Sequence, residues 1–272
     1  MRQILKRLLV KNPDLFNLAQ NIHRSLTTRC RAVELSTNTL PEKMISEIKE
    51  NPYYYDILND LIAYTGFSPE NLRHYILRYP EKHFESEFNW YNPKDSVELG
   101  WFYRCSSGYL FANSAHHYQE VLNTIKEGRV LDYGAGTGCN TIGLAMRGVQ
   151  VDFLEISRIQ ADFINFRAYR RKLKNIREIL PYHDGKFDAI RCVTEDYDAV
   201  IAMDVLEHIP DYHLAVQHLI GKLKPSGIFI EKSGFDEAAA EIAIHLRASI
   251  PLQDAMTGME QVSPGIWLKK PT

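Results

Sequence analysis

The sequence predicts an α/β protein, in which a mostly parallel β-sheet in residues 113–272 follows an α-helical and aromatic-rich cap region in residues 1–112. Three observations predict this. After Gly128 short apolar, β-branched runs alternate with stretches of helical spacing, which is how a parallel sheet with crossover helices reads. Two runs near the end, Met259 to Val262 and Gly265 to Lys270, flank Ser-Pro-Gly and predict a closing hairpin that adds one antiparallel strand. Before residue 80 the apolar residues recur only at helical spacing.

The first 33 residues hold seven basic side chains against one acidic, a net +6 within a chain of net charge -2. The spacing of Leu5, Leu8, Leu9, Leu15 and Leu18 predicts the buried stripe of two short helices interrupted at Asn12-Pro13. The charges then lie on a solvated helical face or meet phosphate, an anionic surface or an acidic partner. Met44, Ile45 and Ile48, then Tyr54, Ile57, Leu58, Leu61 and Ile62, repeat at helical intervals, with stops at Asn51-Pro52 and Gly66. Ser68-Pro69 opens another helix, Ser at the cap and Pro at the first position. Residues 84–111 lose all periodicity but hold nine aromatic residues, Trp90, Trp101 and Tyr103 among them. Such a stretch either folds over the next domain as a lid or lines a site.

The sheet follows. Arg129 to Tyr133 is the first strand, and a glycine loop leads into a short helix ended by Gly148. Val149 to Ile156 is the second strand, Ile159 to Leu173 a helix, and Ile176 to Leu180 the third strand. Ala199 to Met203 and Ile228 to Glu231 are the fourth and fifth, separated by a helix over Leu214 to Leu223 and a turn at Lys224-Pro225-Ser226-Gly227.

Composition narrows the function. With 45% hydrophobic, 24% charged and 11% aromatic residues, the chain is a globular protein and not a disordered, collagenous or coiled-coil one. No window approaches the length of apolar sequence that a membrane span requires, and Lys6, Arg7 and Lys11 interrupt the opening, so neither a transmembrane helix nor a secretory signal is expected. Cys30, Cys105, Cys139 and Cys192 are scattered without metal-ligand spacing, which points away from a disulfide framework or a metal site and toward a cytoplasmic setting.

The chemistry concentrates in Asp132-Tyr133-Gly134-Ala135-Gly136-Thr137-Gly138, between a strand and a helix. Glycines at alternate positions let the backbone turn tightly and approach a ligand beside the unpaired amides of a helix N-terminus. A dinucleotide fingerprint would need a third glycine at position 139, where this chain has Cys139. The D-x-G-x-G-x-G text resembles instead the first motif of the class I S-adenosylmethionine-dependent methyltransferases. Three further segments extend that resemblance in order: Leu154-Glu155-Ile156, with its acid 17 positions past Gly138; Asp198 to Ile209, containing Met203-Asp204-Val205-Leu206-Glu207-His208; and Leu223-Lys224-Pro225-Ser226-Gly227. Ser226 departs from the family's L-K-P-G-G in a turn away from the cofactor.

The resemblance covers about residues 115–270 and implies a Rossmann-like, doubly wound seven-stranded sheet of order 3-2-1-4-5-7-6 with the last strand antiparallel. It implies that Asp132, Gly134, Ala135, Gly136 and Gly138 wrap the amino-acid end of S-adenosylmethionine, that Glu155 accepts both ribose hydroxyls, and that Ile156 lies on the adenine face. Asp184 is the placement for the acid that meets the adenine amino group, though a solvent-facing turn residue is an equal reading. Asp204 and Val205 would border the methionine moiety and the substrate entrance. The Leu-Glu-His text resembles the quinone-biosynthesis methyltransferases, and His208 is either a general base or an orienting residue. His116, His117, Tyr103 and Arg104 are further residues that reach the pocket mouth or serve only in packing. Asn51-Pro52-Tyr53-Tyr54 is similar to a signature of nucleic-acid amino methyltransferases, but that signature belongs after the fourth strand.

The expected activity is methyl transfer to an O, N or C atom of a small organic acceptor. A basic run (Arg167, Arg170, Arg171, Lys172, Lys174 and Arg177) keeps an RNA or protein methyltransferase as a rival, and a non-catalytic cofactor-binding assembly protein is the other. A net charge of -2 argues against a dedicated nucleic-acid binder.

Overall fold

The structure, a computed structural model, describes residues 54–66, 68, 114–183, 186–233 and 250–271. Seven strands form its centre: β1 (Arg129–Tyr133), β2 (Gln150–Leu154), β3 (Ile176–Ile179), β4 (Tyr197–Met203), β5 (Leu223–Lys232), β6 (Met259–Ser263) and β7 (Ile266–Lys269). Their spatial order is β3-β2-β1-β4-β5-β7-β6, the order expected of the family. The first five run parallel, and β7 runs antiparallel to both β5 and β6. The helices are α1 (Tyr54–Thr65), α2 (Ser114–Thr124), α3 (Cys139–Met146), α4 (Arg158–Arg170), α5 (Tyr212–Gly221) and α6 (Leu252–Ala255). Among the described residues no helix is long and apolar enough to cross a membrane.

Alternation along each strand sends apolar side chains to both faces of the sheet. Val130, Val151, Ala199, Ile201 and Ile230 meet Leu61 of α1, Val121 and Leu122 of α2, Leu144 of α3 and Phe163 and Phe166 of α4. On the opposite face Leu131, Leu154, Val200, Ala202 and Phe229 meet Tyr212, Val216 and Leu219 of α5 and Ala255 of α6. A strand buried on both faces reads as a continuous apolar run, which is why the central strands were legible.

Helix α1 belongs to the stretch expected to cap the sheet, and it packs into the same core. Leu61 is fully buried, and the Tyr64 ring lies 5.1 Å from the rings of both Phe163 and Phe166 on α4. The basic N-terminal arm and the aromatic stretch lie outside the described residues.

Two strands begin earlier than their apolar runs. Pairing passes from Tyr197 opposite Leu223 directly to Ala199 opposite Ile228, so Lys224 to Gly227 form an irregularity inside β5 where a separating turn was expected. Ser226 adopts φ +60 there, the left-handed conformation that explains a glycine at the corresponding family position. The start of β4 is set by Tyr197, whose buried hydroxyl donates to Asp152 at 3.0 Å. Asp152 also accepts Arg129 Nε at 3.0 Å and Arg177 Nε at 2.9 Å. Asp152→Ala is expected to cost about 2 kcal/mol, because the arginines can turn to water while the Tyr197 hydroxyl is left buried without its acceptor. Urea unfolding checks this, and a midpoint equal to wild type would refute it.

Candidate functional site

Strands β1, β2 and β4 lie side by side and end on one rim. The chain leaves β1 for α3 on one face of the sheet and leaves β4 for α5 on the other. Divergent crossovers from neighbouring strands open a crevice at their carboxyl ends, the position at which open α/β sheets bind ligands.

The glycine loop forms one wall of that crevice. The amides of Gly134 and Ala135 both donate to the Leu154 carbonyl, at 2.8 and 3.2 Å, which folds the loop over the end of β2. Gly134, Gly136 and Gly138 have φ of +73, +56 and +78, all in the region L side chains avoid. Space is the second constraint. A Cβ on Gly134 would stand 2.2 Å from Val205 Cγ2, and one on Gly138 would stand 2.5 Å from Ile164 Cγ1.

Asp132 supports the loop from below. Its buried carboxyl accepts the Thr141 hydroxyl at 2.6 Å, and so serves the first turn of α3, whose own N-cap is Gly138 with no side chain to offer. Burial pushes the Asp132 carboxyl up to about 6, against the opposing pull of the bonds from Thr141.

Glu155 directly follows β2 at the rim, 6% exposed. Its two oxygens accept the amides of Gly136 and Ser157, each at 2.7 Å, joining the acid to the glycine loop. Desolvation raises this carboxyl to about 7; the amide bonds oppose the rise and the neighbouring Asp132 adds to it. Ile156 follows, half-buried against the α5 side of the core.

Across the crevice, Asp204 is exposed with φ +52, and its amide donates to the Lys232 carbonyl at 2.7 Å. A non-glycine residue in the left-handed region at a strand end is strain of the kind that collects at ligand sites. The turn carries Val205 onto Gly134 and leads into a single 3-10 turn, Leu206–His208, which the sequence did not disclose. His208 is half-buried on it, its amide bonded to the Val205 carbonyl at 3.0 Å.

The structure thus brings Gly134 against Val205 and Gly136 against Glu155, with Asp132 beneath. Asp184, Tyr103 and Arg104 lie outside the described residues, and His116 and His117 fall on α2, before β1. Sequence reasoning missed Thr141, Ser157 and Arg167. Ser157 stands two residues past the acid and was findable by its spacing. Arg167 belongs to the basic run that leaves an RNA or protein methyltransferase open, yet it is 3% exposed. It donates from Nε to Asp60 Oδ2 at 2.9 Å and from Nη1 to the Thr137 carbonyl at 2.8 Å. Arg170 and Arg171 also pair with Asp60, at 2.7 and 2.8 Å, and Arg177 pairs with Asp152 at 2.7 Å. Four of the six side chains of the basic run therefore already have carboxylate partners.

A ubiquinone biosynthesis O-methyltransferase of Rickettsia bellii is 28% identical over 153 residues, covering 55% of this chain and 59% of that protein. Sterol 24-C-methyltransferase erg6 of Aspergillus fumigatus is 27% identical over 198 residues, 63% of this chain and 48% of that one. The solved structure of N-methyltransferase NodS from Bradyrhizobium japonicum, in complex with S-adenosyl-L-homocysteine, is similar at TM-score 0.46 and 15% identity, over 58% of this chain and 87% of that one. The chain spans about half the length of the curated relatives it matches. Residues 102–242, more than half of the chain, match the family model described as a methyltransferase domain. That stretch contains the glycine loop, Glu155 and the turn after β4, and the chain belongs to the methyltransferase-domain family.

Proposed function

We propose that the crevice binds S-adenosylmethionine and that the protein transfers its methyl group to an O, N or C atom of a small organic acceptor. The observation that carries this reading is the buried Glu155 carboxyl locked to the Gly136 amide at the rim. An acid held in that position, with lone pairs remaining on both oxygens, fits a vicinal diol such as the cofactor's ribose. The left-handed glycine loop and the first turn of α3 fit its amino-acid end. When bound, the cofactor supplies a methyl already activated by its sulfonium.

The residues of the chain then bind and orient. Glu155 accepts the ribose hydroxyls, Ile156 offers an apolar surface for the adenine, and Asp204 and Val205 border the opening through which an acceptor enters. Orientation alone is a large part of such catalysis, since in-line placement is worth roughly 7 to 11 kcal/mol. His208, on the same rim, takes the proton an oxygen or nitrogen acceptor loses. The names of the curated relatives include an O- and a C-methyltransferase, and both support a small acceptor over a macromolecule. The paired arginines of α4 and β3 weigh against RNA. The free thiols of Cys139 and Cys192 suit a cytoplasmic enzyme.

Calorimetric titration with S-adenosylmethionine and S-adenosylhomocysteine, followed by a screen of phenolic and sterol-like acceptors, tests the reading. Saturable binding of both ligands supports it; no binding by the folded protein would end it. In the same assay His208→Ala is expected to lower kcat by about 100-fold or more, with KM for the cofactor unchanged. A loss of less than about tenfold would assign His208 to orientation.

A further inference from the structure

Arg167 joins two parts of the molecule that are far apart in sequence. Its guanidinium is buried, lies 5.6 Å from the centre of the Phe163 ring, and donates both to Asp60 of α1 and to the Thr137 carbonyl. Thr137 stands between Gly136 and Gly138, in the part of the loop that has left-handed backbone on both sides and is itself fully buried. Asp60 is 1% exposed and takes Arg167, Arg170 and Arg171 on one carboxylate. A buried guanidinium without a counter-charge is costly enough to leave for water. Were Asp60 absent, Arg167 would follow the solvent and release the Thr137 carbonyl.

We infer that Asp60 and Arg167 are a positioning pair through which helix α1 holds the glycine loop in its binding conformation, so that seating of α1 and binding at the loop favour each other. Asp60 pairs with three arginines of the α4 region and acts through Arg167, and Arg167 acts through one loop carbonyl. The coupling is reciprocal, as any free-energy coupling between two sites must be. A loop held by α1 binds ligand more tightly, and a bound ligand keeps α1 seated. In its ligand the inference rests on the proposed cofactor, but the state of the loop is measurable without one.

The test uses hydrogen exchange of the full chain without ligand, then calorimetry with S-adenosylhomocysteine. The amides to follow are Gly138, bonded to the Ala135 carbonyl, and Ile142, bonded to the Gly138 carbonyl. Asp60→Asn keeps the shape and removes the charge; it should speed exchange at both amides and weaken S-adenosylhomocysteine by about tenfold, the worth of one charge-assisted hydrogen bond. Arg170→Ala removes another partner of Asp60 without touching the loop, and should leave both readings within about twofold of wild type, although α1 loses an ion pair. Should Asp60→Asn fail to fold, Arg167→Lys serves, because an ammonium keeps its charge near Asp60 but cannot reproduce the two-directional fork. Exchange at Gly138 and Ile142 unchanged in a folded Asp60 or Arg167 variant would overturn the inference, as would an equal effect of Arg170→Ala. Faster exchange in a protein that binds no S-adenosylhomocysteine would uphold the coupling and refute the proposed cofactor instead.

Discussion

Lowering the pH through 7 is expected to weaken S-adenosylmethionine binding while it stabilises the unliganded protein. Both effects come from Glu155. Its ordinary value of 4.5 is raised by burial to about 7, so between these limits the folded chain keeps a proton that the unfolded chain has released. The stability contributed by this protonated acid is complete below 4.5 and lost as the pH rises through about 7. Asp132, raised by burial from 3.8 to about 6, acts in the same direction over a lower window. Binding runs the other way, since only the ionised carboxylate makes charge-assisted bonds to the ribose hydroxyls. Thermal unfolding from about pH 5 to 8.5 should show the unliganded midpoint falling, while titration shows affinity rising. Glu155→Gln should flatten the upper part of both curves and weaken binding at pH 8 by roughly 10- to 100-fold. Equal affinities of wild type and Glu155→Gln throughout this range would remove the acid from the site.

Gly134→Ala should abolish measurable cofactor binding and lower stability by about 2 to 4 kcal/mol, because two penalties of separate origin coincide. The backbone there has φ +73, and the new Cβ would meet Val205 Cγ2 at 2.2 Å, well inside contact distance. Relief of that clash must move either the loop from the end of β2 or Val205 from the rim, and each movement dismantles one wall of the crevice. The double variant Gly134→Ala/Val205→Ala separates the two causes. It should regain the steric part of the stability, about 1 to 3 kcal/mol, and keep the backbone part. A double variant no more stable than Gly134→Ala alone would show that the clash is relieved without cost. Chemical denaturation of Gly134→Ala, Val205→Ala and the double variant beside wild type provides the comparison.

What the sequence determined by itself was whatever depends on neighbours along the chain. Strands β1, β2 and β4 were visible because their residues are apolar on both faces, and the order of the sheet followed once the glycine loop, Glu155 and the Leu-Lys-Pro entry stood at family-like intervals. The glycine spacing was legible because positive φ is a local property of one residue.

Tertiary structure alone decided the contacts between segments distant in sequence. Nothing near Asp60 announces that it meets Arg167, 107 positions away, or that the arginines of the basic run are matched by buried carboxylates. Tyr197 starts β4 because Asp152, 45 residues earlier, receives its hydroxyl, and the Lys224 to Gly227 turn became part of a strand because β4 pairs on both sides of it. The steric need for Gly134 likewise came from Val205, across the crevice. A charge, a hydroxyl or an empty volume has the same appearance in a sequence whether its partner exists or not, and only folding supplies the partner.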